Sequence, residues 1–237
     1  MAIVVIQSGT AGGVGKSVFS SILAILTTGV GISSCVIDMG GGVSEYVFGD
    51  NDDVDPPYLS DFLLHKRYDA IKVADVALGK TVVSFNIIPQ FRPLYHKELA
   101  FMVKRIKPLK RLFQLLILDL PSVSFKDTEF RELVQISDLN IVVFSPEKVQ
   151  KVLNSYIDSQ HKIAIFNMYD RVFNDKKEII EKEIGRVFVI EYDSALASLK
   201  EYGIGYFSKV EKKKQREIAH VVMEILKEVE LVEQARV

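Results

Sequence analysis

The sequence contains a single cysteine, Cys35, among its 237 residues. One cysteine cannot form an internal disulfide, and because Cys35 lies in an apolar run we expect a small core residue in a reducing compartment. No apolar stretch reaches the roughly 20 residues that a membrane-spanning helix needs. The apolar run at the N-terminus has no basic segment before it, so it is typical of a strand and not of a signal peptide. The sequence therefore predicts a cytoplasmic protein that is not inserted in a membrane.

Linkers and low-complexity tracts are also lacking, since no segment is rich in proline or serine. Apolar residues make up 48% and charged residues 26% of the chain, which is typical of a folded protein. A chain of this length buries about 70% of its unfolded surface when it folds as one unit. We therefore expect one domain over residues 1–237. The net charge of −1 argues against a general attraction to nucleic acid.

A glycine-rich segment near the N-terminus is the most informative feature that is present. Residues 3–6 are apolar, the glycines follow, and apolar residues at helical spacing come next. A strand that leads through such a turn into a helix directs backbone N–H groups and the positive end of the helix dipole at one small volume, which suits a polyphosphate. The candidate nucleotide-binding residues are Gly12, Gly13, Val14, Gly15, Lys16 and Ser17.

Within this segment, Lys16 is expected to reach the β- and γ-phosphates, and the Ser17 hydroxyl is expected to bind Mg²⁺. The strict phosphate-loop pattern has a glycine five residues before Gly15, where this chain has Thr10. A glycine turn without a ligand is the alternative interpretation, but it does not explain a lysine and a serine at the start of a helix. The segment thus predicts nucleotide binding.

Predicted strands and helices alternate along most of the chain. This alternation predicts an α/β fold, a doubly wound, mostly parallel sheet with helices on both faces, and ligands bind such sheets beyond the carboxyl ends of the strands. Predicted strands end at Asp38, Asp119 and Asn167, which should therefore converge on the glycine-rich segment. We also expect irregular chain after Asp38, an interrupted helix over residues 96–111 and a helix over residues 147–158.

The residues at 12–17, Gly-Gly-Val-Gly-Lys-Ser, resemble the deviant Walker A motif of the MinD/ParA family of ATPases. The family has a lysine at the position of Ala11, and that lysine crosses a dimer interface to the partner's nucleotide. Residues 119–121, Asp-Leu-Pro, resemble the family's Asp-Thr-Pro switch, and residues 145–147, Ser-Pro-Glu, resemble its Thr-Pro-Glu turn. The resemblance implies the fold of P-loop nucleoside triphosphatases, with ATP or ADP and Mg²⁺ as cofactors.

The resemblance also implies roles for two aspartates. Asp119 looks like the Walker B carboxylate that organises Mg²⁺ opposite Ser17, and the alternative is an acid that caps the next helix. Asp38 looks like the first aspartate of the family's Asp-x-Asp switch, whose second aspartate is replaced here by Gly40. The candidate catalytic residues are therefore Lys16, Asp38 and Asp119, and the candidate metal ligands are Ser17 and Asp119.

Two catalytic features of the family are missing together, because Ala11 replaces a lysine and Gly40 replaces an aspartate. Binding of nucleotide needs neither group, whereas hydrolysis needs a positioned water and stabilisation of charge in the transition state. Loss of such charge stabilisation costs about 10³–10⁵ in rate. We therefore expect binding to survive and hydrolysis to be slow.

Asn167 lies where a base-recognition residue is expected, since its amide can both donate to and accept from a purine. The motif favours adenine over guanine, because the lysine of the GTPase Asn-Lys-x-Asp motif is absent; GTP stays open. An asparagine that only caps the strand end is the alternative.

These observations lead to three functional hypotheses. The first is a Mg²⁺-dependent, slow ATPase that switches the interaction with a protein partner, with a homodimer possible. The second is a non-catalytic nucleotide-binding module. The third is a DNA-partition ATPase that uses the basic run at residues 209–216, but DNA is not favoured because charges at the start of a helix commonly face water. The last helix is acidic, unlike a basic membrane-binding helix, so membrane anchoring is disfavoured.

Overall fold

The computed structural model describes residues 1–49, 54–124 and 126–234. In this part of the chain eight strands form one sheet, in the order β3-β4-β2-β5-β1-β6-β7-β8. Only the β3–β4 pair is antiparallel, and every other neighbouring pair is parallel. The strands are β1 Ala2–Gln7, β2 Ser34–Asp38, β3 Lys72–Leu78, β4 Thr81–Ile88, β5 Leu115–Asp119, β6 Leu139–Phe144, β7 Lys162–Tyr169 and β8 Val187–Glu191.

Helices connect most of the strands. They are α1 Lys16–Gly29, α2 Gly42–Phe48, α3 Leu59–His65, α4 His96–Leu99, α5 Met102–Ile106, α6 Thr128–Ile136, α7 Val149–Leu153, α8 Asn174–Ile184, α9 Ser194–Ala197, α10 Leu199–Tyr202 and α11 Lys212–Gln234. Short 3₁₀ turns lie at Tyr68–Ala70, Lys107–Arg111, Arg171–Phe173 and Ile204–Lys209. None of the helices found in the described ranges is long and apolar enough to cross a membrane.

Apolar clusters cover both faces of the sheet. Along β1, Val4 and Ile6 belong to a cluster that includes residues of α1 and α11, whereas Ile3 and Val5 belong to a second cluster with residues of α3, α5 and α6. Successive side chains of a strand point to opposite faces, so a strand buried on both faces is apolar at every position. The doubly wound, mostly parallel sheet predicted from the sequence is confirmed.

The chain after β2 differs from the sequence-based expectation. Helix α2 forms where irregular chain is expected, because the carboxyl group of Asp38 accepts hydrogen bonds from the N–H groups of Gly41 and Ser44 at the start of this helix. The strand β3 is not anticipated either. It pairs antiparallel with β4 through a turn at Gly79, whose φ is +66°.

The helix expected over residues 147–158 is shorter than predicted, and the helix expected over residues 96–111 with an interruption is divided at more than one place. The segment 96–111 is divided into α4, α5 and a 3₁₀ turn that contains Pro108. Helix α7 ends at Leu153, and a few residues later the N–H of Ile157 donates a 2.8 Å hydrogen bond to Gln7 Oε1 on β1. This tertiary contact holds the backbone in a non-helical path that local periodicity cannot indicate.

Candidate functional site

The glycine-rich loop connects the end of β1 to the first turn of α1. Gly13 and Gly15 have φ values of +68° and +93°, which side chains other than glycine rarely adopt. A Cβ added at Gly15 would also lie only 2.1 Å from Asn167 Nδ2. Inside the loop, Ser8 Oγ donates a 2.6 Å hydrogen bond to the carbonyl oxygen of Ala11. These features produce a tight turn whose backbone opens directly onto the N-terminus of a 14-residue helix.

The first turn of α1 is joined to the end of β5 by two hydroxyl groups. Ser17 Oγ donates a 2.7 Å hydrogen bond to Asp119 Oδ2, and Ser20 Oγ donates a 2.8 Å hydrogen bond to Asp119 Oδ1. Asp119 is completely buried. Lys16, which is half-buried, begins the same helix. One edge of the sheet thus brings together the loop, Lys16, Ser17 and Asp119. The positions of the predicted strand ends in the sequence indicate the same convergence.

The Ser17–Asp119 pair has the chemistry of a magnesium site. Mg²⁺ prefers oxygen ligands, keeps several waters and is commonly bound through one or two carboxylates together with phosphate oxygens. The start of α2 packs onto the same place, since a Cβ added at Gly42 would lie 2.4 Å from Ser17 Oγ. In the described ranges no group of three or more histidine, cysteine or acidic residues forms a metal cage. The donor set therefore fits a metal that phosphate oxygens help to bind.

Asp38 ends β2 and is the register partner of Asp119 on β5. Its Oδ1 accepts hydrogen bonds from the N–H groups of Gly40 and Gly41, at 3.2 and 2.7 Å, and its Oδ2 accepts from the N–H and hydroxyl of Ser44, at 2.6 and 2.7 Å. Complete burial, followed by the charge of Asp119, raises the pKa of Asp38 to about 7, although the bonds from Ser44 and Gly41 oppose this. In this arrangement Asp38 anchors the N-terminus of α2.

A cavity of about 230 Å³ adjoins the loop. Its lining includes Gly13 and Gly15 of the loop, Asn167 of β7, and residues of α1, of β8 and of the chain that follows β8. Asn167 is on β7, where its Nδ2 donates a 2.9 Å hydrogen bond to the carbonyl oxygen of Val14. The β7–β8 register shifts between Asn167 and Tyr169, and Met168 there has a φ of +56°. The cavity is lined mainly by apolar groups and includes the amide of Asn167, a combination that suits a planar heterocycle.

Two positions that depart from the family pattern have well-defined surroundings. Ala11 is wholly buried and belongs to the apolar core cluster around β1 and α1. Gly40 lies against the segment after β5, because a Cβ added there would be 3.4 Å from the Cα of Pro121. The first position therefore faces protein, whereas the second adjoins the region where Asp38 and Asp119 end their strands.

Sequence reasoning missed three residues that contact this site. Ser20 bonds to Asp119, Ser44 bonds to Asp38, and Lys148 Nζ donates a hydrogen bond to the carbonyl oxygen of Gly12. Ser20 lies three residues after Ser17, on the same face of the helix, and this spacing is a signal that could have identified it. Lys148 directly follows the Ser-Pro-Glu turn after β6, but only the sheet order shows that this turn lies beside the loop.

Comparison with known proteins agrees with this geometry. The family model described as the CobQ/CobB/MinD/ParA nucleotide-binding domain matches residues 4–206. No curated protein sequence matches the chain. Among solved structures, the cell division ATPase MinD of Pyrococcus furiosus superposes with a TM-score of 0.71 at 19% identity, over 95% of this chain and 98% of that one.

Two further structures are similar. MinD of Pyrococcus horikoshii, solved with Mg-ADP, has a TM-score of 0.69 at 18% identity, over 94% of this chain and 95% of that one. A ParA family ATPase of Chlorobium tepidum has a TM-score of 0.66 at 18% identity, over 93% and 98% of the two chains. At these identities the structural likeness shows the fold, and the family model shows the membership. The chain belongs to the CobQ/CobB/MinD/ParA nucleotide-binding domain family.

Proposed function

We propose that this protein binds ATP or ADP together with Mg²⁺ and acts, as one domain, as a nucleotide-controlled switch. The observation that carries the proposal is the 2.7 Å hydrogen bond from Ser17 Oγ to Asp119 Oδ2 at the N-terminus of α1. This contact brings a hydroxyl and a carboxylate together beside a glycine loop, which is the donor set that a Mg²⁺-nucleotide needs. The Mg-ADP in the structure of Pyrococcus horikoshii MinD supports the same ligand class.

In this proposal the loop binds the phosphates and the cavity binds the base. The N–H groups of residues 12–17 and the Lys16 ammonium would hold the phosphate oxygens, because the left-handed Gly13 and Gly15 turn the backbone toward the helix N-terminus. When bound, Mg²⁺ supplies a positive charge that neutralises the phosphates. Asn167 and the apolar walls of the cavity would hold adenine, whose amino group and ring nitrogen match the acceptor and donor of the amide.

The switch would operate through the segments that follow β2 and β5. Gly42, at the start of α2, packs on Ser17, and Gly40 packs against Pro121 after β5. A phosphate–metal group at Ser17 and Asp119 would therefore change the surroundings of α2 directly. Such order–disorder or shift transitions at a γ-phosphate are a common way to control a protein partner. We propose a protein partner, with a second copy of this chain as one candidate.

We propose that hydrolysis is slow. The natural chain has no cation at position 11 and no carboxylate at position 40, and Ala11 is enclosed by the core. Charge stabilisation and a positioned water are what accelerate phosphoryl transfer beyond the effect of binding. A non-catalytic nucleotide-binding module is the second candidate, and these same two residues favour it.

Calorimetric titration with Mg-ATP, Mg-ADP and Mg-GTP tests the proposal. We expect the natural protein to bind the adenine nucleotides more tightly than Mg-GTP. Lys16→Ala should weaken binding by at least about tenfold, because it removes a charge-assisted contact to phosphate. Lys151→Ala is the matched control, since it removes an exposed lysine from α7. Equal affinity in the natural protein and Lys16→Ala would contradict the proposal, and single-turnover ATP cleavage separates the slow ATPase from the non-catalytic module.

A DNA-partition role has weaker support in the basic run at residues 209–216. Lys209, Lys212 and Arg216 are exposed, but Lys214 Nζ donates a 2.6 Å hydrogen bond to the carbonyl oxygen of Tyr192. Lys213 Nζ lies 3.9 Å from Glu217 Oε1, within ion-pair distance. A DNA affinity that falls steeply with salt concentration would favour this role.

A further inference from the structure

We propose that Lys148 is a second phosphate-binding cation of the glycine loop, acting on the nucleotide held by its own chain. This inference rests on the proposed function, since it concerns the ligand of the same loop. Lys148 Nζ donates a hydrogen bond to the carbonyl oxygen of Gly12. A Cβ added at Gly13 would lie 3.3 Å from Nζ, so the ammonium also faces the middle of the loop.

The fold brings Lys148 to the loop through the order of the strands. Strand β6 pairs with β1, so the turn that follows β6 emerges beside the loop that follows β1. The N–H of Lys148 donates a 3.0 Å hydrogen bond to the carbonyl oxygen of Ser145, which closes this turn. In addition, Lys176 Nζ donates a 2.8 Å hydrogen bond to the carbonyl oxygen of Pro146. The backbone that carries Lys148 is therefore held in place by two independent contacts.

The chemistry of the ammonium favours a phosphate as its functional partner. A lysine ammonium has three N–H donors, and one of them is directed at Gly12. A hydrogen bond from a cation to an anionic oxygen is about twice as strong as one between neutral groups. Lys148 is half-buried, so its attraction to a phosphate is screened less than that of an exposed lysine. The flexible stem lets Nζ move from the carbonyl to a phosphate oxygen without a change in the turn.

The two cations approach the loop from different elements. Lys16 belongs to the first turn of α1, whereas Lys148 comes from the turn after β6 and contacts the loop at Gly12 and Gly13. Position 11, which directly precedes Gly12, is a buried alanine that contributes no charge. Lys148 therefore places positive charge beside Gly12 and Gly13, in the half of the loop that leads into α1.

Calorimetric titration tests this role. The ligands are Mg-ADP and the Mg²⁺ complex of a non-hydrolysable ATP analogue, and the proteins are the natural protein, Lys148→Ala and Lys148→Arg. We expect Lys148→Ala to lower the affinity for the triphosphate analogue by about tenfold to a hundredfold, because a hydrogen bond to a charged group is lost. The loss should be smaller for Mg-ADP, which carries less charge, and Lys148→Arg should retain most of the affinity. Lys151→Ala, which removes an exposed lysine from α7, should bind as the natural protein does.

A second readout does not depend on affinity. Acetylation of lysines by a small reagent, followed by mass spectrometry, should show that the analogue protects Lys148 and leaves Lys151 reactive. If Lys148→Ala binds both nucleotides like the natural protein, or if Lys148 stays equally reactive with and without the analogue, the inference is wrong while the proposed function stands. Failure of the natural protein to bind either nucleotide would overturn both. An equal loss for both nucleotides, with a lower melting temperature of the free protein, would assign Lys148 a structural role and overturn the inference.

Discussion

Asp38 and Asp119 lie next to each other at the carboxyl ends of two paired strands, and both side chains are completely buried. Asp119 accepts hydrogen bonds from the hydroxyls of Ser17 and Ser20 in the first turns of α1, whereas Asp38 accepts hydrogen bonds from the N-terminus of α2. Two carboxyl groups in one buried site raise the cost of ionising both. Burial and the charge of Asp119 together raise the pKa of Asp38 to about 7.

The raised pKa makes the free energy of unfolding depend on pH. In the unfolded chain Asp38 titrates near its ordinary pKa of 3.8, so between about pH 4 and pH 7 the folded state of the nucleotide-free protein binds more protons. The contribution of this group is complete below about pH 4 and is lost as the pH rises through about 7. Urea unfolding across this range measures it. In Asp119→Asn the free energy of unfolding should decline less with rising pH, because the neighbouring charge is gone. An identical decline in the natural protein and the variant would contradict the role given to Asp119 in raising the pKa of Asp38.

Gly15→Ala should destabilise the protein by about 1–3 kcal/mol, because residue 15 has a positive φ and a Cβ there would meet Asn167. It should also weaken binding of Mg-ADP, since the loop must move to make room. Gly29→Ala is the matched control. It lies at the end of α1, where a Cβ would have no atom within 4 Å, so the free energy of unfolding should stay the same or rise by up to about 1 kcal/mol. Denaturant unfolding measures both variants. An equal loss in the free energy of unfolding for Gly15→Ala and Gly29→Ala would refute this account of the loop.

Ala11→Lys should lower the free energy of unfolding by about 2–4 kcal/mol. Position 11 is buried in the apolar core, so a lysine there must either desolvate its charge or displace the loop. Ala100→Lys introduces the same side chain at an exposed alanine and should change the stability by less than about 0.5 kcal/mol. Thermal melts of the nucleotide-free variants decide the question. A melting temperature of Ala11→Lys equal to that of the natural protein would mean that the loop admits a lysine without cost.

Gly40→Asp should increase the rate of ATP cleavage by about tenfold or more. A Cβ at this position meets Pro121 only at an ordinary contact distance of 3.4 Å, so the variant should fold, and its carboxylate would enter the region beside Asp38 and Asp119. Gly40→Asn has nearly the same volume without the charge and is the control. Single-turnover cleavage of ATP with Mg²⁺ is the measurement. If the asparagine variant is accelerated as much as the aspartate variant, a carboxylate at this position is not what limits the reaction.

The sequence was sufficient to predict the sheet and the glycine-rich loop because their signals are local. An apolar strand followed by glycines and a helix pattern predicts β1, the loop and α1 without reference to the rest of the chain. The apolar runs that end at Asp38 and Asp119 likewise predicted strands whose ends meet. The start of α2 could not be predicted in the same way, because three consecutive glycines at residues 40–42 give no helix signal.

The sequence by itself determined the fold class and the place of the glycine-rich loop between β1 and α1, because alternating apolar strands and helices allow few arrangements. Only the tertiary structure decided which distant side chains meet that loop. Lys148 follows β6 and Asn167 lies on β7. Both reach the loop because β6 pairs with β1 and β7 pairs with β6. The hydrogen bonds that position them join residues separated by more than 130 positions. Such contacts depend on strand order, and strand order is a property of the assembled sheet that no local pattern of residues encodes.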